Sequence, residues 1–208
     1  MLEKTITNTF NRPFYGYWVN TELSKNTAKE INIIQEKLKT NLGDALWMTP
    51  TETLHISIVN TLDLPLLTET ENESIKKVYD QVLRTIVTNT KPAIIKFSKI
   101  VASPEAIFIQ ADNNETIKQM RDQFLIGIKD RLPTELVLPR TPNIIHVTIA
   151  RYTKALDLET TKKVSDTLEI NFTEEITALR LVKVQPLPSV ASDVIRAYPL
   201  LVQPPANL

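Results

Sequence analysis

The sequence predicts an α+β fold, a bilobal and pseudo-twofold arrangement of a duplicated strand-helix-strand-helix-strand unit. Two antiparallel-rich sheets would face a central groove, with helices on the outside. Three observations predict it. β-branched and aromatic runs alternate with amphipathic segments along the 208 residues. An apolar helical stripe recurs 86 positions later, and the two histidines occupy matching places in matching runs. The length suits one domain, residues 1–208, with halves at roughly 13–111 and 112–202 and strands free to interleave between them.

Phe14 to Asn20 (FYGYWVN) is aromatic and β-branched and reads as a strand. Ser24 is placed to cap a helix in which Ile31, Ile34, Leu38 and Leu42 share a face. Gly43 then supplies a left-handed stop. Leu54 to Val59 reads as a strand, and Glu71 to Val87 as a helix with Ile75, Val78, Val82 and Ile86 on its stripe. Ala93 to Val101 and Ala106 to Ala111 form a hairpin across a turn carrying Pro104. A helix from Asn114 to Leu132 repeats the first stripe with Ile117, Met120, Phe124 and Ile128, and Pro133 ends it. Ile144 to Tyr152 is a strand, Asp157 to Leu168 a weaker helix, and Ile176 to Gln185 and Ile195 to Val202 are strands.

Composition narrows the chemistry. Cysteine is absent, which removes disulfides, thiol catalysis and sulfur-ligated zinc. Lys plus Arg and Asp plus Glu are both 24, so no basic excess supports binding of long duplex nucleic acid. Glycine occurs only at 16, 43 and 127, which excludes a Walker loop and a dinucleotide-binding fingerprint. No run approaches the ~20 apolar residues of a membrane helix. The start has no basic stub and no apolar leader core. A cytoplasmic monomer without membrane contact is expected.

His55 and His146 are the only histidines. One lies in Leu54-His55-Ile56-Ser57-Ile58, the other in Ile145-His146-Val147-Thr148-Ile149. Both read apolar, His, β-branched, hydroxyl, Ile. On a strand, residues two apart share a face, so each half presents an imidazole and a hydroxyl together. A single strand histidine is more often a hydrogen-bonded or solvated residue. Two in the same pattern, in equivalent elements of a repeat, point to one shared site.

Two H-x-[S/T] motifs in a bilobal α+β chain resemble the 2H phosphoesterase superfamily. His146-Val147-Thr148-Ile149-Ala150-Arg151 is similar to the H-x-T-L-x-R signature of its bacterial and archaeal branch, which contains the RNA 2′,3′-cyclic phosphodiesterases, or 2′-5′ RNA ligases. The first motif departs further. Ser57 takes the hydroxyl place, and Val59-Asn60-Thr61 follows where many members carry an aromatic and a glycine. The resemblance implies hydrolysis of a 2′,3′-cyclic phosphate or 2′-5′ linked nucleotide to a 2′-phosphate, with weak ligation as the reverse. It also implies that Arg151 lies near the substrate phosphate. Relatives act on cyclic oligonucleotide signals and other small nucleotides, and a nucleotide-binding or RNA-binding module without turnover is the reading from another class.

The residue chemistry is compatible. Imidazole titrates near neutral pH, so one can act as base while another acts as acid. In-line displacement places these groups on opposite sides of phosphorus, as histidines from facing halves would be. Ser57 and Thr148 are placed to donate to the non-bridging oxygens. Strict alternation sets Arg151 opposite His146 and Thr148, so only a bulge or the strand's end would turn it to the groove; otherwise it is a surface arginine. Tyr152 has groove parity and is a candidate for stacking on a base, or else a packing residue. Among Phe14, Tyr15, Tyr17 and Trp18, most should be core, with one tyrosine a candidate for the groove.

No cofactor and no metal are called for, because two histidines without a neighbouring acidic cluster make a thin ligand set. Turnover is therefore expected to persist in excess EDTA. Loss of turnover and its restoration by a divalent ion would contradict the metal-free scheme.

Overall fold

The computed structural model describes residues 16–60, 68–132, 142–184 and 193–201. Helix boundaries follow local chemistry. α1 (Lys25–Leu42) starts at Ser24, whose hydroxyl accepts from the Thr27 amide at 3.2 Å, and stops at Gly43 with φ 64°. α2 (Glu69–Asn89) opens with a capping box between Thr68 and Glu71. α3 (Glu115–Ile128) is capped by Asn114 and α4 (Leu158–Asp166) by Asp157. Each helix turns the stripe read from sequence inward, as Ile31, Ile34 and Leu38 of α1 and Ile117, Met120 and Phe124 of α3 show.

The strands are β1 (Gly16–Glu22), β2 (Leu46–Met48), β3 (His55–Asn60), β4 (Ala93–Ala102), β5 (Ala106–Ala111), β6 (Ile145–Tyr152), β7 (Thr173–Ile176), β8 (Ala178–Val184) and β9 (Asp193–Pro199). They form two antiparallel sheets, ordered β3-β1-β8-β9 and β2-β6-β5-β4-β7. The α+β class and the paired antiparallel sheets are as the sequence predicts. The third long strand of each half, however, crosses over. β4 lies beside β5 in the second sheet, and β8 lies beside β1 in the first. With β5 counted to the second half, so that the halves divide in the turn before Ala106 rather than after 111, each sheet is built from both halves, β3-β1-β8 answering β6-β5-β4.

One expectation needs correction. Most of the run 176–185 is a strand, β8, but its first residue, Ile176, belongs to β7. β7 joins the second sheet and β8 the first, and the chain switches sheets at Thr177, whose carbonyl accepts from the Leu200 amide at 2.8 Å. β2 was not anticipated, because three residues show no period. Phe14, Tyr15, Pro133 and Gln185 lie outside the described residues. Among the described residues no helix is long and apolar enough to cross a membrane.

The core side of the first sheet meets α2 and α3 through rings. Tyr79 and Phe124 pack edge to face at 4.9 Å, and Tyr17 approaches Tyr79 at 6.1 Å. The two helices come close at Gly127, where an added Cβ would stand 2.8 Å from Val82 Cγ1. Gly127→Val is therefore expected to destabilise the protein by about 1–3 kcal/mol through overpacking. The check is a lower denaturant midpoint at unchanged slope.

Candidate active site

β3 and β6, which carry the two histidines, are held together where the first sheet's edge meets the second sheet. One guanidinium reaches both: Arg121 on α3 donates to the carbonyls of Ser57 (3.2 Å), Ile58 (3.2 Å) and Ile144 (3.3 Å). The imidazoles are close enough that a charge on His146 or Arg151 disfavours protonation of His55. The structure thus brings His55, His146 and Arg151 into one electrostatic neighbourhood.

Both strands carry a bulge, and both bulges sit three residues after the histidine. In β3 the pairing with β1 jumps from Val19↔Val59 to Asn20↔Ser57, leaving Ile58 as the extra residue. In β6 the pairing with β5 jumps from Ile107↔Ala150 to Phe108↔Thr148, leaving Ile149 extra. An extra residue reverses the alternation beyond it. His146 and Thr148 are half-buried while Val147 and Ile149 are buried. Past the bulge, Ala150 is buried and Arg151 half-buried. Arg151 therefore lies on the face of His146 and Thr148. Asn60, five residues after His55, is the equivalent in β3.

The same reversal corrects the reading of Tyr152. It is 4% exposed and belongs to the core, so it does not line the groove. The aromatic neighbours of the site come from elsewhere. Trp18 lies against His55 (ring centroids 5.4 Å apart) and Tyr17 is core, while Tyr15, the other tyrosine considered for the groove, lies outside the described residues. Phe108 lies against His146 at 5.1 Å and is paired across the ladder with Thr148. Trp47 on β2 is paired with Arg151. Cross-strand partners share a face, so Phe108 and Trp47 flank the second motif.

Polar partners also went unnoticed in the sequence. Glu22 is paired with His55 and Asn20 with Ser57. Arg180 on β8 donates from Nε to Asn20 Oδ1 at 3.1 Å and forms an ion pair with Glu22 at 3.1 Å. The Ser57 and Thr148 hydroxyls share the faces of their histidines, and neither is engaged by a described residue. Trp18 Nε1, Asn60 Oδ1 and His146 Nδ1 are buried without a partner among the described residues. Such orphans cost about 1–3 kcal/mol each. The hollows on the outer surface gather no comparable set. One lies between β4 and the end of α4 (Ser98, Lys99, Ser165, Asp166), the other between α2 and β9 (Lys76, Asp80, Arg196, Tyr198).

No protein-family model matches the sequence, and no curated protein does. Solved structures do match. TT0787 of Thermus thermophilus superposes with a TM-score of 0.64 at 14% identity, covering 88% of this chain and 97% of that one. LigT of E. coli, complexed with 3′-AMP, gives 0.60 at 8% identity over 91% of this chain and 99% of that one. A crystal structure titled only as a phosphoesterase gives 0.58 at 10% identity, with 91% and 99% coverage. The chain has the fold of the 2H phosphoesterases.

Within this 2H fold the two imidazoles differ. His55 Nδ1 lies 2.8 Å from the Thr53 carbonyl, which selects the tautomer with the proton on Nδ1 and leaves Nε2 as an acceptor. The carbonyl two residues before His146, that of Ile144, is occupied by Arg121. It is near enough to favour the imidazolium but makes no hydrogen bond of ordinary geometry with His146 Nδ1.

Burial pushes His55 down to about 4, and the charges of Arg180, His146 and Arg151 add to this against the opposing Thr53 carbonyl. Burial also lowers His146, with Arg121 and Arg151 acting in the same direction. Both are neutral in the free protein at neutral pH. His55 unfolds with an ordinary pKa near 6.5, so its neutral form contributes stability above that pH, which is lost as pH falls from 6.5 toward 4. Imidazole NMR titration of the free protein should place His55 near pH 4 and His146 below 6.5. Saturating inorganic phosphate should raise both, and unmoved midpoints would contradict an anion site between them.

Proposed function

We propose that the chain is a metal-independent phosphodiesterase that hydrolyses a 2′,3′-cyclic phosphate end or a 2′-5′ linked nucleotide. The observation that carries this reading is the pairing of two imidazole-hydroxyl faces from equivalent strands, close enough for one imidazole's charge to oppose the other's. Arg151 adds a cation beside both histidines. The fold likeness to LigT, solved with 3′-AMP, ATP and phosphate, supports a nucleotide as ligand.

In the proposed reaction a neutral imidazole takes a proton from water as its oxygen bonds to phosphorus. In the cyclic phosphate the bond from phosphorus to the 3′ oxygen breaks, in a 2′-5′ linkage the bond to the 5′ oxygen, and the imidazolium of the other histidine gives that leaving oxygen its proton. The products are a 2′-phosphate and, respectively, a free 3′- or 5′-hydroxyl, and proton exchange with solvent resets the pair. Ser57 and Thr148 donate to the non-bridging oxygens, and Arg151 offsets their charge. Two neutral imidazoles lack the proton that the acid must supply. A phosphate anion in the groove reverses the balance, because it favours an imidazolium beside it. The substrate thus recruits the acid's proton as it binds.

His55→Ala and His146→Ala are each expected to lower kcat by about 10²- to 10⁴-fold on a 2′,3′-cyclic nucleotide. kcat/KM, which reports the free enzyme, should be bell-shaped with its optimum below pH 6.5; kcat should peak at higher pH. Side-by-side assay of 2′,3′-cyclic, 2′-5′ linked and cyclic dinucleotide substrates selects among the substrate classes. Histidine variants that change affinity and leave turnover intact would overturn the enzymatic reading.

A further inference from the structure

Gln35 on α1 and Arg121 on α3 stand 86 positions apart, the offset that relates Ile31 to Ile117, Ile34 to Met120 and Leu38 to Phe124. Both are buried polar residues on the otherwise apolar inner stripe of their helices. Gln35 Nε2 donates to the carbonyls of Thr49 and Ile149, both at 2.8 Å. Arg121 Nε donates to the carbonyl of Ile58 at 3.2 Å. Ile149 and Ile58 are the two bulge residues. The first half's helix therefore holds the second histidine strand, and the second half's helix holds the first.

We propose that Gln35 and Arg121 are a crossed pair of positioning residues, each fixing the β-bulge that turns the residue five places after the opposite half's histidine, Arg151 or Asn60, toward the groove. This rests on the phosphodiesterase reading above for what Arg151 and Asn60 meet there.

The reason is one of register. Without its extra residue, β6 would regain an unbroken ladder but carry Arg151 to the face occupied by Val147 and Ile149, against the core. The bulge interrupts the pairing with β5, while on the other side the Ile149 carbonyl extends the β2–β6 register by one step. It accepts from the Thr49 amide at 3.0 Å, and Gln35 occupies its second lone pair while tying down the Thr49 carbonyl. Without Gln35 the Ile149 carbonyl would keep the Thr49 amide, but the Thr49 carbonyl would have no donor among the described residues, at a cost of about 1–3 kcal/mol, so the amide favours the register that holds these two carbonyls together. At β3 the donor is a guanidinium, which also holds Ser57 and Ile144 and so ties the two bulged strands to each other.

The test reads inorganic phosphate affinity, by imidazole NMR, alongside kcat and KM. Gln35→Met keeps the length and apolar packing and removes both donated hydrogens. It should weaken phosphate binding about tenfold or more, as Arg151→Met does by losing a charge-assisted contact. The double variant should be no weaker than Arg151→Met alone, because Gln35 acts through that arginine. Gln35→Lys, which retains a donor to the same carbonyls, should restore most of the affinity. Folded Gln35→Met with the parent's affinity would overturn the proposal, as would additive losses in the double variant. If neither Gln35 variant melts cooperatively, Gln35 is a folding residue and the proposal falls as well. A parent protein that fails to bind phosphate, with His55→Ala and His146→Ala fully active, would instead overturn the reading of the groove itself.

Discussion

A single buried cation holds the site's architecture together. Arg121 is 8% exposed and has no carboxylate partner among the described residues. Removing a guanidinium from water costs several kcal/mol, and a hydrogen bond from a charged donor returns about 1.5–3 kcal/mol. Three carbonyls are therefore needed to balance the burial, and they come from β3 and from the start of β6. The charge is stable only where those two strands lie side by side. The strands in turn need a donor at this place, because the bulge in β3 and the edge of the sheet leave their carbonyls without a ladder partner. One residue thus ties together the two strands that carry the histidines.

The duplication accounts for much of the rest. The two halves exchange their third strands, so neither sheet belongs to one half. The helices follow the same logic, with α1 reaching the strand of the second motif and α3 that of the first. Such exchange makes the halves mutually dependent: neither can form its bulged histidine strand without the other's helix. The two donors differ in kind, an amide at one bulge and a guanidinium at the other. This breaks the symmetry where the chemistry requires two different protonation states.

The surroundings of the histidines disfavour a positive charge on either ring, through burial and through nearby arginines. Arg180 is partly neutralised by Glu22, whose side chain is 72% exposed. Trp18 and Asn60, cross-strand partners, keep buried polar atoms without a partner among the described residues. Under the proposed function, a bound phosphate group would relieve these costs.

What the chain's own order determined is what depends on near neighbours. Helical stripes, the cap at Ser24, the Gly43 stop and the paired His-x-Ser/Thr runs all follow from side chains within a few positions. They were enough to foresee the α+β class, the repeat and the two imidazole-hydroxyl faces. Tertiary structure decided which face Arg151 and Tyr152 occupy, which sheet receives β4 and β8, and which rings flank the site. The physical reason is that a bulge is a one-residue slip whose energy lies in its donors. Those donors, Gln35 and Arg121, come from helices 114 and 63 positions away in sequence. No period within β6 records them, so alternation placed Tyr152 in the groove, whereas a distant amide places Arg151 there.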